Sequence, residues 1–225
     1  MGTNLYLLLN LGALLFPFLL SFDRKVHYVG KWKAVFAGII AVGIPFVIWD
    51  YFFTANGIWG FNEDYITGIH LANLPLEEVL FFVVVPYCCT FVYACCQAYF
   101  PKKDFSDFNF FIYSILAIYS VVVLYLGWGN WYSTLVAILS LLTLAILYRM
   151  KWTFNFFPLA FAIAMLPFLG MNGVLTGMLT PEPVVWYSPE HIIGWRYITI
   201  PIEDVLYAFV LLYWNIAIYE WLKKS

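Results

Sequence analysis

Pro75-Leu76-Glu77-Glu78-Val79-Leu80-Phe81-Phe82 and Pro201-Ile202-Glu203-Asp204-Val205-Leu206-Tyr207-Ala208 carry one pattern: proline, an apolar residue, two acids, then a long apolar run. In a chain that is 64% hydrophobic and 11% charged, four carboxylates at the mouths of such runs are candidate functional groups. Both runs are long enough to cross a bilayer as helices.

Working outward, the 225 residues have a mean hydropathy of +0.85 and an aromatic fraction of 22%, which excludes an ordinary soluble domain. Apolar runs predict an all-α polytopic membrane protein with seven transmembrane helices, at 4–22, 34–54, 75–99, 107–127, 131–149, 154–174 and 199–221. No basic side chain precedes the first run and no small-x-small cleavage site follows it, so 4–22 is expected to be a retained helix. Ten of the eleven Lys and Arg then fall on one side: Arg24, Lys25, Lys31, Lys33, Lys102, Lys103, Arg149, Lys151, Lys223 and Lys224. Short basic loops stay in the cytoplasm. The expectation is therefore a multi-pass protein of the cell membrane, N-terminus outside and C-terminus cytoplasmic, with Arg196 alone on the outer side. Cys88, Cys89, Cys95 and Cys96 share one predicted helix with neither disulfide nor zinc spacing, and read as small packing residues.

The repeat extends beyond the acids. Asp64, Gly68, His70 and Pro75 align with Glu190, Gly194, Arg196 and Pro201 at an offset of 126, and Ile44-Pro45-Phe46 aligns with Leu166-Pro167-Phe168 at 122. Tryptophans lie near both loop starts, at Trp59 and Trp186. Such self-similarity marks a duplication. Residues 1–105 would form one three-helix repeat, 106–129 a linker helix and 130–225 the second repeat. An odd linker makes the repeats parallel, so both acid pairs sit at the outer ends of the third and seventh helices.

Asn73 and Thr199 occupy matching positions ahead of Pro75 and Pro201 and are expected to cap those helices. A helix N-terminus favours a carboxylate by about 0.3–1 kcal/mol. Membrane burial opposes the charge by roughly 3 kcal/mol on insertion scales, so acids sheltered at this depth are expected to hold a proton at neutral pH. The plainer alternative is that they only cap the helices and bind Arg196 or loop amides.

The duplicated motif in a seven-helix frame resembles the membrane-embedded lycopene cyclases of the heterodimeric type, in their fused form, over nearly the whole chain. The resemblance implies a non-redox isomerase, of the intramolecular lyase type. It protonates the ψ end group of a linear carotenoid, closes a six-membered ring and removes a proton to leave a β-ionone ring. It also implies that Glu77 and Glu203 are the principal proton-transfer groups, with Glu78 and Asp204 tuning or sharing the proton. A cationic intermediate is stabilised by aromatic faces, for which Trp49, Tyr51, Phe52, Phe81 and Phe82 are candidates. Asn73, Pro75, Arg196, Thr199 and Pro201 are the expected supporting residues. The expected partners are lycopene or a related linear carotenoid and membrane lipid, with no nucleic acid.

No G-x-G-x-x-G follows a strand, so neither flavin nor nicotinamide is expected as cofactor. His70 and His191 do not align across the repeat, and no metal site is expected. A retinal-binding seven-helix protein needs an intramembrane lysine, and no predicted helix core holds one. A transporter or proton-conducting protein with paired carboxylates is the alternative; the scarcity of polar residues at mid-helix argues against it.

Overall fold

In the computed structural model, which describes residues 4–223, seven helices form a bundle. They are α1 (Leu5–Leu20), α2 (Trp32–Ala55), α3 (Leu76–Tyr99), α4 (Ser106–Leu126), α5 (Trp131–Met150), α6 (Phe157–Leu175) and α7 (Asp204–Lys223). Six are long and apolar enough to cross a membrane. The sixteen residues of α1 span about 24 Å at 1.5 Å per residue, short of a full hydrocarbon core. The chain is thus an all-α membrane protein with six candidate spans. The expected tail residue Lys224 lies outside the described residues.

Burial ranks the helices. The membrane windows of α3 and α7 are 67% and 61% buried within the protein, against 22% for α4, so the two acid-bearing helices form the centre and α4 the periphery. The central helix α3 packs on α1, α2, α6 and α7, while α7 packs on α2, α3, α5 and α6. Prolines 17, 45, 86 and 167 lie inside helices, where each removes one backbone hydrogen bond. Neighbouring helices take up the slack, as such bundles require. The carbonyl of Ala13, left over by Pro17, accepts from Cys88 Sγ at 3.4 Å. All four cysteines are free.

The basic connections meet at one end. Asn155 Nδ2 donates to the Lys103 carbonyl at 2.8 Å, Lys223 Nζ donates to Gln97 Oε1 at 3.0 Å, and Lys25 lies 3.8 Å from the centre of the Tyr99 ring.

The opposite end carries six short strands in three antiparallel pairs. Strand β1 (Trp59–Phe61) pairs with β4 (Val185–Tyr187), setting Trp59 opposite Tyr187 and thereby joining the α2–α3 loop to the α6–α7 loop. Strands β2 (His70–Leu71) and β3 (Leu74–Pro75) form a hairpin ahead of α3, and β5 (Arg196–Tyr197) and β6 (Ile200–Pro201) form its counterpart ahead of α7. This second hairpin corrects a boundary. The last helix starts at Asp204 rather than at 199, because Ile200 and Pro201 are used as strand residues. The two tryptophans of the loops are likewise not equivalent: Trp59 is buried, whereas Trp186 lies opposite Gly60 and is 41% exposed.

Candidate active site

Each hairpin feeds its helix through the same set of bonds. Leu76 N donates to the Ile69 carbonyl at 2.8 Å, and Ile202 N, 126 residues later, donates to the Trp195 carbonyl at 3.1 Å. Gly68 and Gly194 both adopt left-handed backbone (φ 77° and 87°), which turns the loop back toward the helix start. Glu77 Oε1 then accepts from Thr67 N at 2.7 Å, and Glu203 Oε1 from Ile193 N at 2.7 Å. Ser133 Oγ adds a second bond to Glu203 Oε1 at 2.6 Å. Both glutamates are buried, at 1% and 0% exposure, and each fastens its own loop to its own helix. Binding of loop amides, the plainer expectation for these acids, is what Glu77 and Glu203 do.

Their neighbours point elsewhere. Glu78 and Asp204 line one small cavity between the two halves, with Tyr6, Trp59, Phe61, Phe81, Tyr132, Phe168, Asn172, Leu175, Val185, Tyr187 and Tyr207. The cavity holds about 40 Å³, room for about one water and far less than a carotenoid ring. Tyr6 Oη donates to Glu78 Oε2 at 2.5 Å, and Tyr132 Oη, 126 residues on, donates to Asp204 Oδ1 at 2.7 Å. Each tyrosine stands second in its helix, on α1 and α5. Asp204 Oδ2 accepts two more bonds, from Asn172 Nδ2 at 2.8 Å and Tyr187 Oη at 3.1 Å. Burial, reinforced by the adjacent Asp204 carboxyl, pushes the Tyr187 hydroxyl well above its ordinary value and keeps it a donor.

The remaining predicted residues separate. Phe81 lines the cavity, while Trp49 and Phe82 stand one layer back: Trp49 lies 5.1 Å from the Tyr207 ring, and Phe82 lies against Phe46 at 6.2 Å. Tyr51 and Phe52 are exposed on the outer side of α2 and meet edge to face, with ring centres 5.4 Å apart, so they do not line the cavity with the acids. The expected caps do not form. Pro75 itself takes the cap position of α3 with no side-chain bond; Asn73 Nδ2 donates to the Tyr51 carbonyl at 3.0 Å and Thr199 Oγ1 to the Gly173 carbonyl at 3.1 Å. Pro201 ends β6. Arg196 makes no ion pair with the acids: its guanidinium donates to the Thr199 carbonyl and lies 5.9 Å from the Tyr187 ring. His70 pairs with Glu63 at 3.4 Å, away from His191.

The paired tyrosines Tyr6 and Tyr132, Asn172, Tyr187 and Asp50 are additions that the sequence reading did not single out. Their signals were available: the tyrosines share the offset of 126, and Asp50 is a lone acid inside an apolar run, matched by Asn172 at an offset of 122.

Beside the cavity, an apolar groove of about 460 Å³ runs down α2, α5 and α7, lined by Val42, Pro45, Leu135, Leu139, Val210 and Trp214 among others. Phe46 and Trp49 form its upper wall, and both touch Tyr207, which lines the cavity. Helices α2 and α5 meet at one end of this groove, where Trp49 and Phe53 lie 6.5 and 6.4 Å from the Tyr132 ring.

A family model described as Lycopene cyclase matches the chain twice, over residues 3–96 and 129–222, which are again 126 residues apart. A curated relative, the bifunctional lycopene cyclase/phytoene synthase of Leptosphaeria maculans, is 39% identical over 65 residues. That stretch covers 29% of this chain and 11% of the relative, so the chain spans only a small part of that protein's length. No solved structure matches. With a double match covering most of the sequence and a cavity shared by the two matched segments, the chain belongs to the lycopene cyclase family.

Proposed function

We propose that this protein cyclises the ψ end groups of lycopene, or of a related linear carotenoid, to β-ionone rings without redox change. One observation carries the reading: Glu78 and Asp204, one from each half, line the same aromatic cavity at the hairpin end of a membrane bundle. A proton added to the terminal double bond gives a carbocation, the next double bond attacks it to close the ring, and loss of a ring proton restores neutrality. Proton count is unchanged, so the site needs one group to give and one to receive. It also needs walls that stabilise a cation without attacking it, a property of the faces of Trp59, Phe81, Tyr132 and Tyr207.

Placement favours Glu78 and Asp204 for contact with substrate, and Glu77 and Glu203 for fixing the loops that carry them. The substrate end reaches the cavity from the apolar groove, displacing Phe46 and Trp49, while the unreacted polyene lies along α2, α5 and α7 among lipid tails. The hairpin end faces outward and the basic end, with the C-terminus, faces the cytoplasm, α1 completing seven crossings. The two repeats are parallel, with α4 as linker. No flavin or nicotinamide takes part in the proposed chemistry.

Expression in a host that accumulates lycopene, followed by chromatography of the extracted pigments, tests the reading. Cyclic products are expected. Unchanged lycopene, with the protein confirmed in the membrane fraction, would overturn it.

A further inference from the structure

The two halves differ at one buried position, and the difference is chemical. Asp204 receives three hydrogen bonds, from Tyr132, Asn172 and Tyr187, and its surroundings offer donors to both of its oxygens. Such a set binds a carboxylate. Glu78 receives one bond, from Tyr6. Where the second half has Asn172, the first has Asp50. Asp50 is 1% exposed; its Oδ1 accepts from Trp59 Nε1 and, at 3.3 Å, from Thr54 Oγ1, while Oδ2 has no partner. Asp50 holds Trp59, which lines the cavity together with Glu78, and the repeat gives Asp50 the place that Asn172 takes against Asp204. Among the described residues, no Lys or Arg forms an ion pair with either acid. Two acids on one enclosed aromatic site with no paired cation favour carrying a single charge between them.

We propose that Asp50 is a positioning residue for proton transfer: it keeps a proton in the first half, so that Glu78 delivers it to the polyene and Asp204 takes one back. This rests on the cyclase reading above. The Glu78 O–H bond breaks as a C–H bond forms at the inner, less substituted carbon of the terminal double bond, leaving a tertiary cation at the outer carbon. The ring C–C bond forms from the next double bond. A ring C–H bond then breaks, its electrons become the ring double bond, and its proton goes to Asp204. The site is reset when that proton crosses the cavity to Glu78, a path on which one water fits.

The test is Asp50→Asn, assayed in lipid vesicles loaded with lycopene beside the wild-type protein. The amide oxygen still accepts from Trp59 and Thr54, so a merely structural role predicts wild-type kinetics. The proposal predicts kcat lowered about 100-fold with KM within about twofold, the scale of a lost proton-transfer group. Asp50→Glu, which restores the charge, should recover part of that loss. If Asp50→Asn does not insert, Asn172→Asp gives the answer: a second acid beside Asp204 should slow turnover by a similar factor. Normal kcat in whichever of the two inserts overturns the proposal. An inactive wild-type protein in the same vesicles would instead count against the cyclase reading itself.

Discussion

The first half of the bundle bonds its inner acid, Glu78, to one tyrosine and has an acid, Asp50, where the second half has an amide; the second half bonds Asp204 to two tyrosines and that amide, Asn172. Around this difference the frames coincide. The same hairpin, the same left-handed glycine, the same glutamate on a loop amide and the same helix-start tyrosine recur 126 residues apart. A duplicated backbone therefore fixes where the acids stand, while one aligned position on α2 and α6 holds an acid in the first half, Asp50, and an amide in the second, Asn172.

The strongest way to break this comparison is to neutralise the inner acids. Glu78→Gln and Asp204→Asn should each lower turnover roughly 10³-fold, within the range of general acid–base catalysis, with membrane insertion unchanged. Pigment extracts and a membrane blot read both quantities. Should Glu77→Gln and Glu203→Gln be the more damaging pair, the assignment of inner acids to substrate contact would fail.

The tyrosines sharpen the comparison. Among the described residues Tyr6 alone donates a hydrogen bond to Glu78, whereas Tyr132 is one of three donors to Asp204. Tyr6→Phe should therefore cost about tenfold or more in kcat, and Tyr132→Phe only a few-fold, since a lost donor matters most where no other remains. Equal effects would mean that the two halves are electrostatically alike.

The outer glutamates should act on stability. Glu203 accepts two bonds through Oε1, the one from Ser133 fully buried and the one from Ile193 N part-buried, and Glu77 accepts one part-buried bond from Thr67 N. Glu203→Ala should lower stability by about 2–3 kcal/mol and Glu77→Ala by about 1–2, because each leaves buried or part-buried donors unpaired. Thermal unfolding in detergent ranks them.

Much of this architecture was legible in the sequence. Apolar length located all seven helices, and the shared spacing of Gly68 with Gly194 and Pro75 with Pro201 identified equivalent turns. What stayed hidden depended on orientation or on pairing between distant segments. Two-residue strands are too short to show an alternating pattern, so the hairpins went unseen and α7 was begun five residues early. Glu77 and Glu78 are adjacent, and adjacent helical residues face about 100° apart; which of them faces the partner half depends on how α3 packs, not on the motif. Trp59 and Tyr187 join the site only because β1 pairs with β4 across the halves. Asp50 stands out as a lone acid in an apolar run, but its bond from Trp59 joins a helix to a loop strand and cannot be read from one helix.

The smallest expected effect lies at the hairpin tips, where the halves again share geometry with unlike residues. Ala72 and Ile198 both hold left-handed backbone, at φ 58° and 60°. Bulky β-branched residues rarely tolerate this region, and the strain is of order 1 kcal/mol or more. Ile198 is also 81% exposed, so its side chain gains little from packing to offset it. Ile198→Gly should therefore raise thermal stability by about 1 kcal/mol, and Ala72→Gly by less, because alanine carries no branch at Cβ. Activity should be unchanged in both, since neither residue lines the cavity. If Ile198→Gly instead destabilised the protein in lipid vesicles but not in detergent, the exposed isoleucine would be acting as a membrane contact. The hairpins would then differ in function as the inner acids do.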